Sequence, residues 1–133
     1  MLKTSEHPER IDEIVELLNE AYTHSPLWQY LLGSADPEDL RAGLDFFNRQ
    51  RIAIAGDRSE FWLDAEGRVE GHITLAPQMY ESVMNPAVLF RLATVPCRLG
   101  LGVTGRLINM IPAFDNLTKE WKRAPLPKHV WVL

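Results

Sequence analysis

The stretch FWLDAEGRVEGHITLAP, residues 61–77, decides the fold because two apolar runs flank a short polar turn. Residues 61–63 and 69–75 are rich in aromatic and β-branched side chains, which favour extended strands. Between them, DAEGR places Gly67 where a tight turn needs a positive φ. The pattern therefore predicts an antiparallel β-hairpin in the middle of the chain.

Three helices are predicted before this hairpin. Apolar residues recur at helical spacing through HPERIDEIVELLNEAY, residues 7–22, and a short apolar helix ending in glycine follows in SPLWQYLLG, residues 25–33. A third helix begins with Asp36 as N-cap, followed by proline, and extends to about residue 52. The apolar face predicted for the first helix contains Ile11, Ile14, Val15, Leu18, Ala21 and Tyr22, and that of the third contains Leu40, Leu44 and Phe47.

The second half of the chain is predicted to be helical and then extended. Residues 86–123 are predicted to be mostly helical but broken, and apolar residues keep helical spacing from Leu107 to Trp121. A kink is expected at Pro112, because proline lacks an N–H and clashes with the preceding turn. The connection APLPK, residues 124–128, leads to HVWVL, residues 129–133, whose valines and tryptophan favour a strand. Helices, hairpin, helices and a final strand predict one α+β domain over residues 1–133.

The composition excludes several classes of protein. With 133 residues, 46% of them hydrophobic, the chain can bury the core of one domain, and its net charge of −4 argues against nucleic-acid and acidic-membrane partners. No apolar run reaches membrane-spanning length and the N-terminus is too polar for a signal peptide, so we expect a cytoplasmic protein. The single Cys97 excludes an intramolecular disulfide, and we interpret it as a small buried hydrophobe. The four histidines lack metal-ligand spacing, so no metal site is predicted.

The order of these elements resembles the first half of the GNAT acyltransferase fold. The hairpin resembles a GNAT pattern at Trp62, Gly67, Arg68, Gly71 and Pro77, and PLPKHVWVL resembles the start of the central fourth strand at Pro127, His129 and Leu133. The resemblance implies transfer of an acetyl group from acetyl-CoA to a small-molecule or peptide amine. It also implies an incomplete sheet interrupted by a leucine-rich helical insertion.

The glycines Gly100, Gly102 and Gly105 are spaced as G-x-G-x-x-G, and the resemblance offers two registers for them. In the first, LFRLATVP (residues 89–96) is the fourth strand and the glycines bind the pyrophosphate of acetyl-CoA. In the second, residues 81–123 are the insertion, 129–133 is the fourth strand, and the chain stops before the acetyl-CoA loop. We favour the second, because Cys97 and Leu99 stand where the family has polar or basic residues.

Candidate acceptor-binding residues also follow from the resemblance. Tyr22, Trp28 and Tyr30 lie at the junction of the first two helices, which in GNAT folds forms one wall of the acceptor pocket. No catalytic residue is identified, and His72 on the hairpin is interpreted as a strand histidine hydrogen-bonded to a neighbour. The chain is thus expected to carry the acceptor-side half of the transferase. The alternative is a non-catalytic half-domain that binds a second copy or a complementing chain through the edge of strand 129–133.

Overall fold

The hairpin lies in a three-stranded antiparallel sheet in the computed structural model, which describes residues 1–74, 90 and 93–123. The strands are β1 (Leu2–Lys3), β2 (Ser59–Leu63) and β3 (Val69–Thr74), side by side in that order. Strands β2 and β3 confirm the predicted hairpin, with Phe61 opposite His72 and Trp62 opposite Gly71. A register shift after Trp62 lets Val69 contribute to the core.

The hairpin turn is organised by one carboxylate and one glycine. Asp64 accepts hydrogen bonds from the backbone N–H groups of Glu66 at 3.0 Å and Arg68 at 2.8 Å. The Arg68 N–H is the largest reason that the pKa of Asp64 lies below its usual range. Gly67 has a φ of +79°, as the sequence predicts for a tight turn.

Strand β1 was not expected from the sequence. Leu2 lies opposite Phe61 and Lys3 opposite Glu60, and two short 3₁₀ turns, Thr4–Glu6 and Pro8–Arg10, then lead into the first helix. Because this strand has only two residues, it carries no alternating pattern of its own. Its position is set by pairing with β2.

All three predicted N-terminal helices are present. They are α1 (Ile11–Tyr22), α2 (Pro26–Leu32) and α3 (Pro37–Ala55), the last extending three residues beyond the predicted end. The Asp36 carboxylate accepts a hydrogen bond from the Glu38 N–H at 2.8 Å, which confirms the predicted N-cap. Gly33 ends α2 with a left-handed φ of +76°.

The first of two hydrophobic cores lies between α1, α3 and the sheet. Its buried members are Ile14, Val15, Leu18, Ile52, Phe61 and Val69. The predicted face of α1 is correct at its centre, but Ala21 is exposed and the buried position next to Leu18 is taken by Asn19. The Asn19 side-chain oxygen accepts a hydrogen bond of 2.9 Å from the Asn48 amide, which joins α1 to α3 inside the protein.

The second core lies between α2, α3 and a fourth helical segment, α4 (Val95–Arg123). Its buried residues are Leu31, Val95 and Val103, with Leu32, Phe46, Phe47, Leu99, Leu107 and Met110 packed around them. Within α4 the non-helical backbone angles fall at Gly100, with φ 83° and ψ 171°, and not at Pro112. The kink predicted at Pro112 stays a prediction, because proline can bend a helix without leaving helical backbone angles. The fixed φ of proline is compatible with a helix, whereas the angles at Gly100 require glycine.

The helical residues preceding Gly100 contradict part of the first register for the glycines. Phe90 and Ala93 have helical backbone and α4 begins at Val95, where that register places a strand. The strand of the second register, residues 129–133, lies outside the described residues, as do Leu75, Pro77, Pro127, His129 and Leu133. The described elements form an α+β domain with an antiparallel sheet.

Helices α2 and α4 are joined by an arginine that lies over a glycine. Arg106 on α4 donates from Nε to the carbonyl oxygen of Leu31 at 2.8 Å, near the C-terminus of α2, where a cation is favourable. A Cβ added to Gly33 would lie 2.6 Å from the Nη2 atom of Arg106. Gly33 therefore has two roles, the left-handed end of α2 and close contact with α4.

Gly33→Ala is expected to lower the free energy of unfolding by about 2 kcal/mol, from left-handed backbone strain plus displacement of Arg106. Gly67→Ala is the matched control, because Gly67 has a similar φ of +79° but a Cβ there would meet nothing within 4 Å. We expect the control to cost about 1 kcal/mol. Urea unfolding followed by circular dichroism measures both. Equal costs for the two variants would show that Arg106 is not held against Gly33.

Candidate functional site

An aromatic row connects the two cores at the end of α1. The Tyr22 and Trp28 rings lie 5.9 Å apart between centroids, and Trp28 and Phe47 lie 5.2 Å apart, both pairs in tilted arrangements. Phe46 contacts Phe47 edge-on at 5.6 Å. Tyr22, Trp28 and Phe47 are all half-buried, so the row packs against the protein on one side and remains accessible on another. We call Tyr22, Trp28 and Phe47 the aromatic row.

The structure brings together two of the three tyrosine and tryptophan residues singled out from the sequence. Tyr30 is 55% exposed, and no ring contact places it in the aromatic row among the described residues. It lies two residues beyond Trp28 on α2, so the two side chains leave the helix in different directions. His24, at the same junction, is exposed.

Arg51 on α3 extends the aromatic row with a charge that the sequence analysis missed. Its Nη1 atom donates to the Tyr22 hydroxyl at 2.6 Å, and its guanidinium carbon lies 5.9 Å from the centre of the Tyr22 ring. Arg51 is half-buried. The sequence signal was available, because Arg51 sits next to Ile52 and three residues after the buried Asn48, at the margin of the buried face of α3.

A cluster of polar groups in the sheet lies near enough to Arg51 for its charge to act on His72. Ser59 is fully buried, lies 2.7 Å from His72 Nε2, and donates to the Thr4 hydroxyl at 2.9 Å. Burial first, and the positive charge of Arg51 second, lower the pKa of His72 to about 4. His72 is therefore neutral at pH 7, and its hydrogen bond to Ser59 confirms the structural role predicted for it.

Ser59 and His72 are as close as a catalytic nucleophile and its general base, but a substrate could not reach Ser59. The Ser59 residue is 0% exposed, so its hydroxyl cannot reach a substrate carbonyl. A His72 pKa of about 4 also makes the imidazole a weak base near neutral pH. The pair therefore supports the sheet, and the accessible chemistry of this region lies with the aromatic row and Arg51.

Within the described residues, backbone geometry explains one glycine of the run, Gly100, whose φ of 83° favours glycine. A Cβ added at Gly105 would meet nothing within 4 Å, so close packing does not explain that glycine. The Gly100 carbonyl accepts a hydrogen bond of 2.9 Å from Thr104 Oγ1. Leu99 and Val103 pack into the second core on either side of the break in α4. The expectation that Cys97 is buried is wrong, because this residue is exposed on α4.

Comparisons with known proteins do not add to these observations. Searches against protein-family models, curated proteins and solved structures found no match to this chain. The GNAT resemblance therefore stays a prediction. Within residues 1–74, 90 and 93–123, no three acidic, histidine or cysteine side chains converge as metal ligands would. None of the helices in those ranges combines the length and apolar character needed to cross a bilayer.

Proposed function

We propose that this domain binds the amine acceptor in an acetyl transfer from acetyl-CoA, as the acceptor-side half of a GNAT-type N-acetyltransferase. The observation that carries the proposal is the aromatic row, because Tyr22 and Trp28 meet at the helix junction where the resemblance implies an acceptor pocket. The element order, helices followed by an antiparallel hairpin, is compatible with that resemblance.

The aromatic row suits one requirement of amine acetylation, which is an amine held in a defined position. Acyl transfer needs the nitrogen lone pair, and protonation removes it. The faces of Trp28 and Phe47 can attract an ammonium group by cation–π interaction and hold it in place, and a base must then remove its proton before the nitrogen attacks. Flat aromatic surfaces also orient the apolar part of an acceptor, which lowers the entropic cost of the reaction.

Acetyl-CoA is not assigned to Gly100, Gly102 and Gly105 in this proposal. In the segment before them, Phe90 and Ala93 are helical and α4 begins at Val95, where the corresponding register needs a strand. Val95 and Leu99 pack into the second core. The described residues are therefore proposed to bind the acceptor, and a pyrophosphate site is not placed among them.

A titration of the 133-residue chain with primary amines, followed by nuclear magnetic resonance, tests the proposal. We expect aromatic and aliphatic amines to shift the signals of Tyr22 and Trp28, and Trp28→Leu to weaken binding at least about tenfold by removing the ring. Trp62→Leu is the matched control, because Trp62 is 40% exposed on β2 and lies outside the aromatic row. Circular dichroism verifies that both variants fold.

Two results would contradict the proposal. One is the absence of any amine binding to the wild-type chain, and the other is equal loss of binding in the Trp28 and Trp62 variants. A parallel titration with acetyl-CoA discriminates between the registers. Shifts confined to residues 100–105 would favour the first register over the second.

A further inference from the structure

We propose that Arg51 binds a carboxylate of the acceptor, so that the acceptor is a small molecule with a primary amine, an apolar body and a free carboxylate, such as an apolar α-amino acid. The inference rests on the proposed function, because the aromatic row would hold the body of the same molecule. The inference depends on two contacts of one residue, Tyr22. Tyr22 contacts Trp28 with its ring and Arg51 with its hydroxyl.

Arg51 differs from other described arginines in what its guanidinium contacts. Four of them lie within 2.9 Å of a carboxylate oxygen: Arg10, Arg41, Arg49 and Arg68. Two more, Arg58 and Arg106, donate to backbone carbonyl oxygens. Arg51 contacts the hydroxyl and the ring of Tyr22, and in the described part of the chain it is paired with no carboxylate.

Among the described residues, the groups that face Arg51 include no carboxylate. The Tyr22 side chain offers Arg51 a hydroxyl and a ring face. The neighbouring His72 is neutral, because burial and the Arg51 charge itself lower its pKa to about 4. A half-buried cation among neutral groups attracts an anion more strongly than a cation in open water does.

The geometry of the guanidinium favours a carboxylate over other anions. The hydrogen bond from Nη1 to the Tyr22 hydroxyl and the contact with the Tyr22 ring restrain the plane of the group. Its remaining N–H groups form a planar fork that matches the two oxygens of one carboxylate. A phosphate dianion would need a second positive charge, and the described cluster supplies Arg51 alone.

Three ligands of the same size separate the contributions of amine and carboxylate. L-phenylalanine has both groups, L-phenylalaninamide lacks the carboxylate, and 3-phenylpropionate lacks the amine. Binding to the full chain is measured by nuclear magnetic resonance titration at pH 7. We expect L-phenylalanine to bind at least about tenfold more tightly than its amide, as a charged bidentate pair predicts.

Arg51→Gln is expected to abolish this preference, and Arg51→Lys to retain part of it because the charge remains without the fork. The control is Arg49→Gln, on the same helix but exposed and paired with Asp12 and Asp45, which should leave the preference unchanged. The proposal is overturned if the wild-type chain binds L-phenylalanine and its amide with equal affinity, or if Arg51→Gln keeps the wild-type ratio of the two affinities. If Arg51→Gln does not fold, the proposal is tested by the ratio of the two affinities in the wild-type chain and in Arg51→Lys.

The same measurements separate failure of this inference from failure of the proposed function. If the amide binds in a way that depends on Trp28 and the carboxylate adds no affinity, the proposed acceptor site is supported and the role of Arg51 is contradicted. Binding of 3-phenylpropionate that depends on Arg51, together with no binding of the amide, would support the carboxylate site and contradict the amine acceptor.

Discussion

Phe61→Ala is expected to lower the free energy of unfolding by about 3–5 kcal/mol, the usual cost of emptying a phenylalanine site in a core. Phe61 is 0% exposed and lies in the first core with Ile14, Val15 and Leu18. The ring of His7 also contacts it edge-on, with 5.7 Å between centroids. A domain of this size has about 5–15 kcal/mol of stability in total, so this single change removes a large share of it.

Phe90→Ala is the matched control, since it makes the same chemical change at a residue that is 75% exposed. We expect the control to change stability by less than about 0.5 kcal/mol. Urea unfolding curves at pH 7, followed by circular dichroism and tryptophan fluorescence, measure both variants. Equal costs for Phe61 and Phe90 would contradict the position of β2 over α1.

The parts of the fold that the sequence predicted are those encoded by neighbouring residues. The hairpin follows from apolar runs around a turn whose geometry is set locally by Asp64 and Gly67. The start of α3 follows from Asp36, whose carboxylate caps an N–H two residues later. Such signals act within a few residues, so they do not depend on the rest of the chain.

The features that the sequence did not predict depend on contacts between distant residues or on a choice between two local signals. Strand β1 exists because Leu2 pairs with Phe61, far along the chain. Arg51 meets Tyr22 only after α1 and α3 have packed. The non-helical backbone angles in α4 fall at Gly100, since its φ of 83° is not compatible with helix whereas a proline φ is.

The candidate site also combines contacts between residues that are close in sequence with contacts between distant residues. Tyr22 and Trp28 are close in sequence, and their contact at 5.9 Å follows from the short connection between α1 and α2. Arg51 comes from α3, His72 from β3 and Ser59 from β2, so only the folded chain brings them near one another. For this reason the sequence placed Tyr22 and Trp28 together, while Phe47 and Arg51 were not predicted to lie beside them.

Lowering the pH from 7 to 4 is expected to destabilise the protein through His72. Its pKa falls from 6.5 to about 4 in the folded state, so the unfolded chain binds a proton more readily in this range. The contribution of the neutral imidazole to the free energy of unfolding is fully present above pH 6.5 and is lost as the pH falls toward 4. A fully buried group would lose about 3 kcal/mol, and solvent screening of this half-buried ring reduces the expected loss to about 2 kcal/mol.

His72→Gln should remove this loss, because glutamine keeps a donor for Ser59 and does not titrate. His24→Gln is the control, because it makes the same chemical change at an exposed histidine. Glu13 and Asp64 have lowered pKa values, chiefly because they accept hydrogen bonds from the Val69 and Arg68 N–H groups, so their contribution is lost on acidification in all three proteins. The comparison therefore isolates His72, and stability curves that run parallel from pH 7 to 4 in the wild type and His72→Gln would contradict its burial beside Arg51.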